Sequence, residues 1–393
     1  MSARSERTEH TPRRTFLKGA AFGAAGLGAA AAAGCERSGA APSPAVRPVE
    51  RTQAFASYVA LDLQTDTTAQ TDDLLRTLAA RVRQLQTEHV PASVGISAPP
   101  SDSGTLGPVV APDGLVINMG YGATFFDHAH GDRKPKGIKA MREFEDDALD
   151  RSKCHGDMLL EIRADQQDVV VHALRELTRA TRGGLTVRWR QEGSSPPPRP
   201  DGAPRNHFGF KDGTSNPTGA DFDSLVWIDE PTQPWTRGGT FLVVRLIRML
   251  TEFWDRVSIS EQENMFGRVR TTGAPLDGDH ESDAPRFEDD PSGDIIPLTA
   301  HMRLANPRTS DTDRSRIFRR AYNYTGGADA NGNLDLGLVF TCLQRDIEAQ
   351  FEATQERLEG EPLTDYISPI GGGYFYLPPR DAGSGISTTG GIL

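Results

Sequence analysis

The chain has 393 residues, 37% hydrophobic and 25% charged, which suits a globular protein long enough for two domains. Its formal net charge of -11 argues against nucleic acid as a partner. No run of about eighteen strongly apolar residues occurs in the body of the chain, which excludes an evident membrane-spanning helix there.

The N-terminal segment departs from this plain composition. Arg13-Arg14-Thr15-Phe16-Leu17-Lys18 precedes a charge-free, mildly apolar run from Gly19 to Gly34. Paired arginines ahead of a weakly hydrophobic Ala/Gly segment read as a twin-arginine export signal over residues 1–35, so an extracytoplasmic location (periplasm, cell surface or medium) is expected. Ala32-Ala33-Gly34-Cys35 resembles a lipobox, and both a lipid anchor at Cys35 and simple cleavage near the Ala run fit it. Residues 36–54 read as a flexible tether. Three cysteines are too few for a disulfide framework, and without a Cys-x-x-Cys pair zinc and iron–sulfur clusters have no evident site.

From Phe55 to Leu63 apolar and polar residues alternate as in a strand, and from Asp72-Asp73 the residues Leu74, Leu75, Leu78, Val82 and Leu85 share one helical face. Strands follow at Leu115 to Met119 and Met158 to Arg163, then a helix marked by Val170, Val171, Leu174 and Leu177, then a strand at Leu185 to Arg190. This β-α-β-β-α-β order, over residues 55–194, is the ferredoxin-like pattern. The Pro-rich stretch 195–205 reads as a linker, and residues 206–393 repeat the order. Its elements are a strand at Thr240 to Ile247, a helix around Leu250 to Val257 and strands at Arg319 to Tyr324 and Leu336 to Gln344. A helix face of Ile347, Phe351, Thr354 and Leu358 and a last strand at Tyr374 to Leu377 complete it. The expected class is therefore α+β, with two ferredoxin-like halves built on antiparallel sheets. A long insertion from Ser258 to Ser315 exceeds ordinary connection lengths and is expected to be functional; within it the acidic stretch Asp277 to Asp290 reads as a solvated loop.

The chemistry-bearing residues lie in this second half. His301 is set apart from the other histidines by the polar, arginine-bearing segment Met302 to Arg308, because a neutral imidazole is an axial donor to haem iron and an arginine can neutralise a propionate. His207 is expected to line the same cavity, and His128 and His130 to sit in an exposed loop. Asp212, in Gly209-Phe210-Lys211-Asp212-Gly213, reads by itself as a turn aspartate.

Taken in order, Gly209 to Gly213, the His301 to Arg308 segment, Arg319-Arg320-Ala321-Tyr322 and Ile367 to Pro378 resemble the dye-decolourising (DyP-type) peroxidase family over nearly all of the chain after the leader. Met302 departs from the pattern, where isoleucine is commoner. The resemblance implies a DyP-type fold and haem b (iron protoporphyrin IX) as cofactor. It makes His301 the axial iron ligand, Asp212 the distal acid that moves the peroxide proton, and Arg319 the cation that stabilises the departing charge and contacts haem. Gly213, Thr214 and Ser215, with Asn306, Pro307 and Arg308, are implied to line the haem, and Leu338 and Phe340 to wall the distal pocket. Hydrogen peroxide and small electron donors, dyes among them, are the implied substrates. A carboxylate ordinarily titrates near about pH 4, so dye oxidation is expected to peak in acid. Bulky dyes do not reach a buried haem, so Trp189, Trp227, Trp235, Trp254, Tyr374 or Tyr376 is expected to relay electrons. The twin-arginine leader points to the exported deferrochelatase-like subgroup, and the alternative it implies is iron release from haem with the porphyrin intact. Iron-permease and iron-binding proteins would then be partners; a homo-oligomer stays open. A haem carrier without catalysis is a third reading, for which Asp212 and Arg319 would be superfluous.

Overall fold

The computed structural model describes residues 51–230, 232–381 and 387–393; the expected export signal, Cys35 and most of the expected tether lie outside the described residues. The first half runs β1 (Phe55–Leu63), α1 (Thr68–Leu85), β2 (Val116–Tyr121), α2 (Ala123–His128), β3 (Met158–Ala164), α3 (Gln167–Ala180) and β4 (Leu185–Ser194). The second runs α4 (Gly219–Val226), β5 (Thr240–Met249), α5 (Thr251–Trp254), α6 (Ile259–Phe266), α7 (His301–Ala305), β6 (Phe318–Ala328) and β7 (Leu334–Gln344). A π-helical turn (Ile347–Glu352) then leads into α8 (Ala353–Leu358) and β8 (Ile367–Leu377). Among the described residues no helix is long and apolar enough to cross a membrane.

Within the first half the strand order is β4-β1-β3-β2, and within the second β6-β7-β5-β8, all antiparallel. Both are the ferredoxin-like order, so the α+β class expected from the alternation patterns is what the chain adopts. The two antiparallel sheets are also joined to each other. The edges join at Tyr121↔Tyr376 and Ser194↔Asn323, and the eight strands close into one barrel. Each seam is one residue pair wide, so closure covers the strand edges only where the two sheets meet.

Alternation along the strands then decides what faces the site. On β6 the buried residues Phe318, Arg320, Tyr322 and Tyr324 point into the barrel, where they meet Tyr58, Leu159, Val244, Leu246, Val339 and Phe375. Arg319, Ala321 and Asn323 take the opposite face by the period of two. Leu338 and Phe340 of β7 and Ile247 of β5 share that outer face in a separate cluster with Phe208, Phe210, Trp254 and Phe266. The insertion between α5 and β6 covers this cluster, and the site lies beneath it.

Candidate active site

His301 opens α7, a helix of one turn held at both ends by its neighbours. The preceding helix α6 ends at Gly267 with φ 79, and a Cβ there would come within 2.7 Å of Met302 Cγ. The glycine thus lets α6 and α7 touch, and brings the Phe266 ring to 6.1 Å from the imidazole. At the far end Arg357 of α8 donates to the carbonyls of Leu304 and Ala305, each at 3.0 Å, taking up acceptors that a short helix leaves open. The imidazole is oriented by Glu361, whose two carboxylate oxygens both lie 2.9 Å from Nδ1. Glu361 is buried (3% exposed), whereas His301 keeps 28% exposure because it lines a cavity. Burial works against a charge on the ring, but Glu361 outweighs it and raises the pKa above the ordinary histidine value; Arg319 opposes this and Asp212 supports it.

Asp212 and Arg319 line the same cavity, with Arg319 Nη1 3.3 Å from Asp212 Oδ1. The turn that carries Asp212 is fixed at several points. Asn206 accepts from the amides of Phe208 and Phe210, and the Asp212 amide donates to Pro204 O at 2.9 Å. Gly213 follows with φ 99, a conformation that favours glycine; a Cβ there would meet little, so it is the backbone angle and not crowding that asks for glycine. Asn216 then binds both polar groups of the Arg319 backbone, its Nδ2 donating to the carbonyl at 2.7 Å and its Oδ1 accepting from the amide at 2.9 Å. The acid's loop and the arginine's strand are thereby one unit.

The rest of the cavity is an apolar wall (Ile247, Phe266, Ile317, Leu338, Phe340, Leu363) with guanidinium groups from Arg268, Arg308, Arg316 and Arg319. Thr214, Ser215 and Asn306 also line it. Gly213 lines instead a wider vestibule of about 1200 Å³, which shares Lys211, Asp212, Thr214 and Arg319 with the cavity and opens past the linker. Pro307 is on the lining of neither. His207, expected at the cavity, turns its ring to the Tyr324 carbonyl at 3.0 Å, and burial lowers its pKa. The acidic stretch is a loop, as its composition suggested, and Asp279, Glu288 and Asp289 are exposed, but not all of it is solvated: Glu281 pairs with Lys211 at 2.5 Å and accepts from Thr214 at 2.8 Å, and Asp290 is buried against Arg303. Basic groups elsewhere in the fold draw these carboxylates inward, which no local pattern reveals. His128 and His130 are likewise engaged, with the Thr65 carbonyl and Asp72.

Two family models cover most of the chain: Dyp-type peroxidase, N-terminal, over residues 49–194, and Dyp-type peroxidase, C-terminal, over residues 203–382. The chain belongs to the Dyp-type peroxidase family. It is 43% identical over 339 residues to a protein of Escherichia coli strain K12 named Deferrochelatase, an alignment spanning 83% of this chain and 80% of that one. A solved DyP-type peroxidase from Cellulomonas bogoriensis is 33% identical with TM-score 0.77, covering 87% of this chain and 93% of its own. Ferric DtpA from Streptomyces lividans is 31% identical with TM-score 0.77, covering 88% of this chain and 94% of its own.

As a Dyp-type peroxidase this chain is an enzyme whose cofactor is haem. The donor set fits that group. An imidazole whose Nδ1 is committed to a carboxylate leaves Nε2 for a metal, the apolar wall suits a porphyrin face, and guanidinium groups suit its propionates. Sequence reasoning missed Asn216, Glu361, Arg268 and Glu281. Asn216 lay within reach, since it follows Asp212 in the same turn. Glu361 lies 60 residues beyond His301, and no local pattern signals the contact. Of the side chains expected to relay electrons, Trp254 reaches the histidine through a single ring, Phe266, at 5.8 Å, and its other neighbours include the half-buried Tyr366 at 5.2 Å.

Proposed function

We propose that the chain reduces hydrogen peroxide with His301 as the axial ligand of haem b, Asp212 as the group that moves the proton and Arg319 as the fixed cation beside it. The observation that carries this reading is the pairing of Asp212 with Arg319 at 3.3 Å inside the cavity that His301 lines. Bound haem would supply the redox-active iron, and small electron donors would return to it the two electrons that reduction of one peroxide to water takes up. Cleavage of the O–O bond needs a proton carried from one peroxide oxygen to the other, and in this reading the Asp212 carboxylate carries it. Arg319 stays charged throughout and offers its field to the negative charge that develops on the departing oxygen. Glu361 holds the imidazole in one tautomer and makes it the stronger donor. Thr214, Ser215, Asn306 and Arg308 border the porphyrin in this reading, with Gly213 shaping the turn and Pro307 the exit from α7.

The test is the visible spectrum of the purified protein before and after one equivalent of hydrogen peroxide. A Soret band that changes at once with peroxide supports the assignment; a His301→Ala protein with an unaltered Soret band would falsify it. The identity to a protein named Deferrochelatase favours a second reading, removal of iron from haem with the porphyrin left whole. Incubation with haem and extraction of metal-free protoporphyrin separates the two. The leader with Arg13-Arg14 supports export by the twin-arginine route, and replacement of both arginines by lysine should leave the protein in the cytoplasm.

A further inference from the structure

Among the guanidinium groups that border the cavity, most have an acid of their own. Arg245 pairs with Asp147, Arg316 with Asp221 and Asp313, and Arg319 with Asp212. Arg268 does not. Its Nη1 donates to the carbonyls of Gly273 at 2.6 Å and Glu281 at 3.2 Å, and its Nη2 to Ser215 Oγ at 3.2 Å, so every partner is a neutral oxygen. The carboxylate of Glu281 is turned to Lys211, Thr214 and the Ala203 amide. Among the described residues no carboxylate lies within ion-pair distance of Arg268.

We propose that Arg268 and Ser215 form a carboxylate subsite that takes one propionate of the haem, an inference that rests on the haem reading of this cavity. A cation partly withdrawn from water without a counter-ion, as the half-buried Arg268 is, carries a cost, and neighbours of the same sign add to it. Burial first, then Arg319 and Arg308, bring the Arg268 pKa down to about 10, with Glu281 opposing. An anion in the cavity removes that penalty. The guanidinium fork matches a carboxylate in shape. The Ser215 hydroxyl already accepts from Arg268, so its own proton remains for the same carboxylate. Arg308, held at φ 59 on the same lining and also without an ion pair among the described residues, supplies a matching cation for the second propionate. The backbone fixes Arg268 well: it directly follows the left-handed end of α6, and its strand-like bridge to Pro275 closes a tight turn.

The experiment is a two-by-two comparison of binding, read from Soret titration of the apoprotein without any turnover. Wild type and Arg268→Met are each titrated with haem and with haem dimethyl ester, whose carboxylates are masked. The subsite predicts that Arg268→Met weakens haem by about tenfold or more while changing the ester by less than about threefold. Arg268→Lys, which keeps the charge and loses the fork, should recover part of the loss. Equal weakening of haem and ester in both variants would assign Arg268 a packing role and overturn the subsite, as would no change with either ligand. Wild type binding the ester as tightly as haem overturns it too, even where His301→Ala abolishes the Soret shift and the haem reading stands. Far-UV circular dichroism of each apoprotein shows that folded molecules are compared.

Discussion

Asp212 reaches Arg319 because Asn216 ties their two segments together through the arginine's own backbone. Its carboxylate thereby faces the Arg319 guanidinium and the shared opening of cavity and vestibule, which the proposed proton-carrying role requires. Asp212→Asn keeps the size of the side chain and removes its capacity to cycle a proton. Peroxide kcat/KM should fall by about 10²- to 10⁴-fold, the usual worth of a positioned acid–base group. The acid optimum of dye oxidation should also vanish. Stopped-flow reaction with peroxide and a pH–rate profile check both, and a neutral optimum unchanged by the substitution contradicts the role. That Asp212 and Arg319 share one cavity was legible, because both sit in short, distinctive stretches. Arg268 was not, because nothing around it in the chain shows that its partners are all neutral.

At the scale of elements, local signals worked where an apolar face repeats and failed where the chain's polar groups set the limits. The helix expected from Asp72 begins at Thr68, because Thr67 and Gln70 form a reciprocal capping box before the first apolar residue. The face through Ile347 and Phe351 is helical, but its first turn is wide, and Gln350 uses the extra space to donate to the Leu225 and Arg316 carbonyls. The last strand starts at Ile367, well before Tyr374, since a run of glycines interrupts the apolar alternation that marks a strand. The helix bearing His301 has five residues, too few for any periodicity. Its position depends on Gly267, so Gly267→Ala tests the element directly. The left-handed backbone should cost about 1–3 kcal/mol, and the new methyl would meet Met302 and Ala300. With α7 pushed back, haem content should drop along with Tm. A variant with wild-type melting and a wild-type Soret-to-protein absorbance ratio would show that this contact does not set α7.

The whole molecule is joined more deeply than its two narrow seams suggest. Inside the barrel Glu161 of β3 lies 3.1 Å from Arg320 of β6 and 3.2 Å from Arg163, an ion cluster shared by both halves. Asn118 donates to it at 2.6 Å and the Tyr58 hydroxyl at 3.2 Å. Glu161 and Arg163 were visible as charges in an apolar strand, but Arg320 is 159 residues away and the sequence links them by nothing. Burial resists ionisation of Glu161, yet Arg163 and Arg320 with the hydrogen bonds overcome it and hold its pKa below the ordinary carboxylate value. A carboxylate lowered on folding contributes fully above its unfolded pKa and loses that contribution as pH falls through the folded value. Glu161→Gln would remove the carboxylate that two buried guanidinium groups share and should cost about 3–5 kcal/mol at neutral pH. Urea unfolding of the apoprotein measures this, and the gap between wild type and variant should narrow once the pH drops below about 4. A gap that stays constant from neutral to acid pH would mean that the two halves are held together by packing alone and not by this charge.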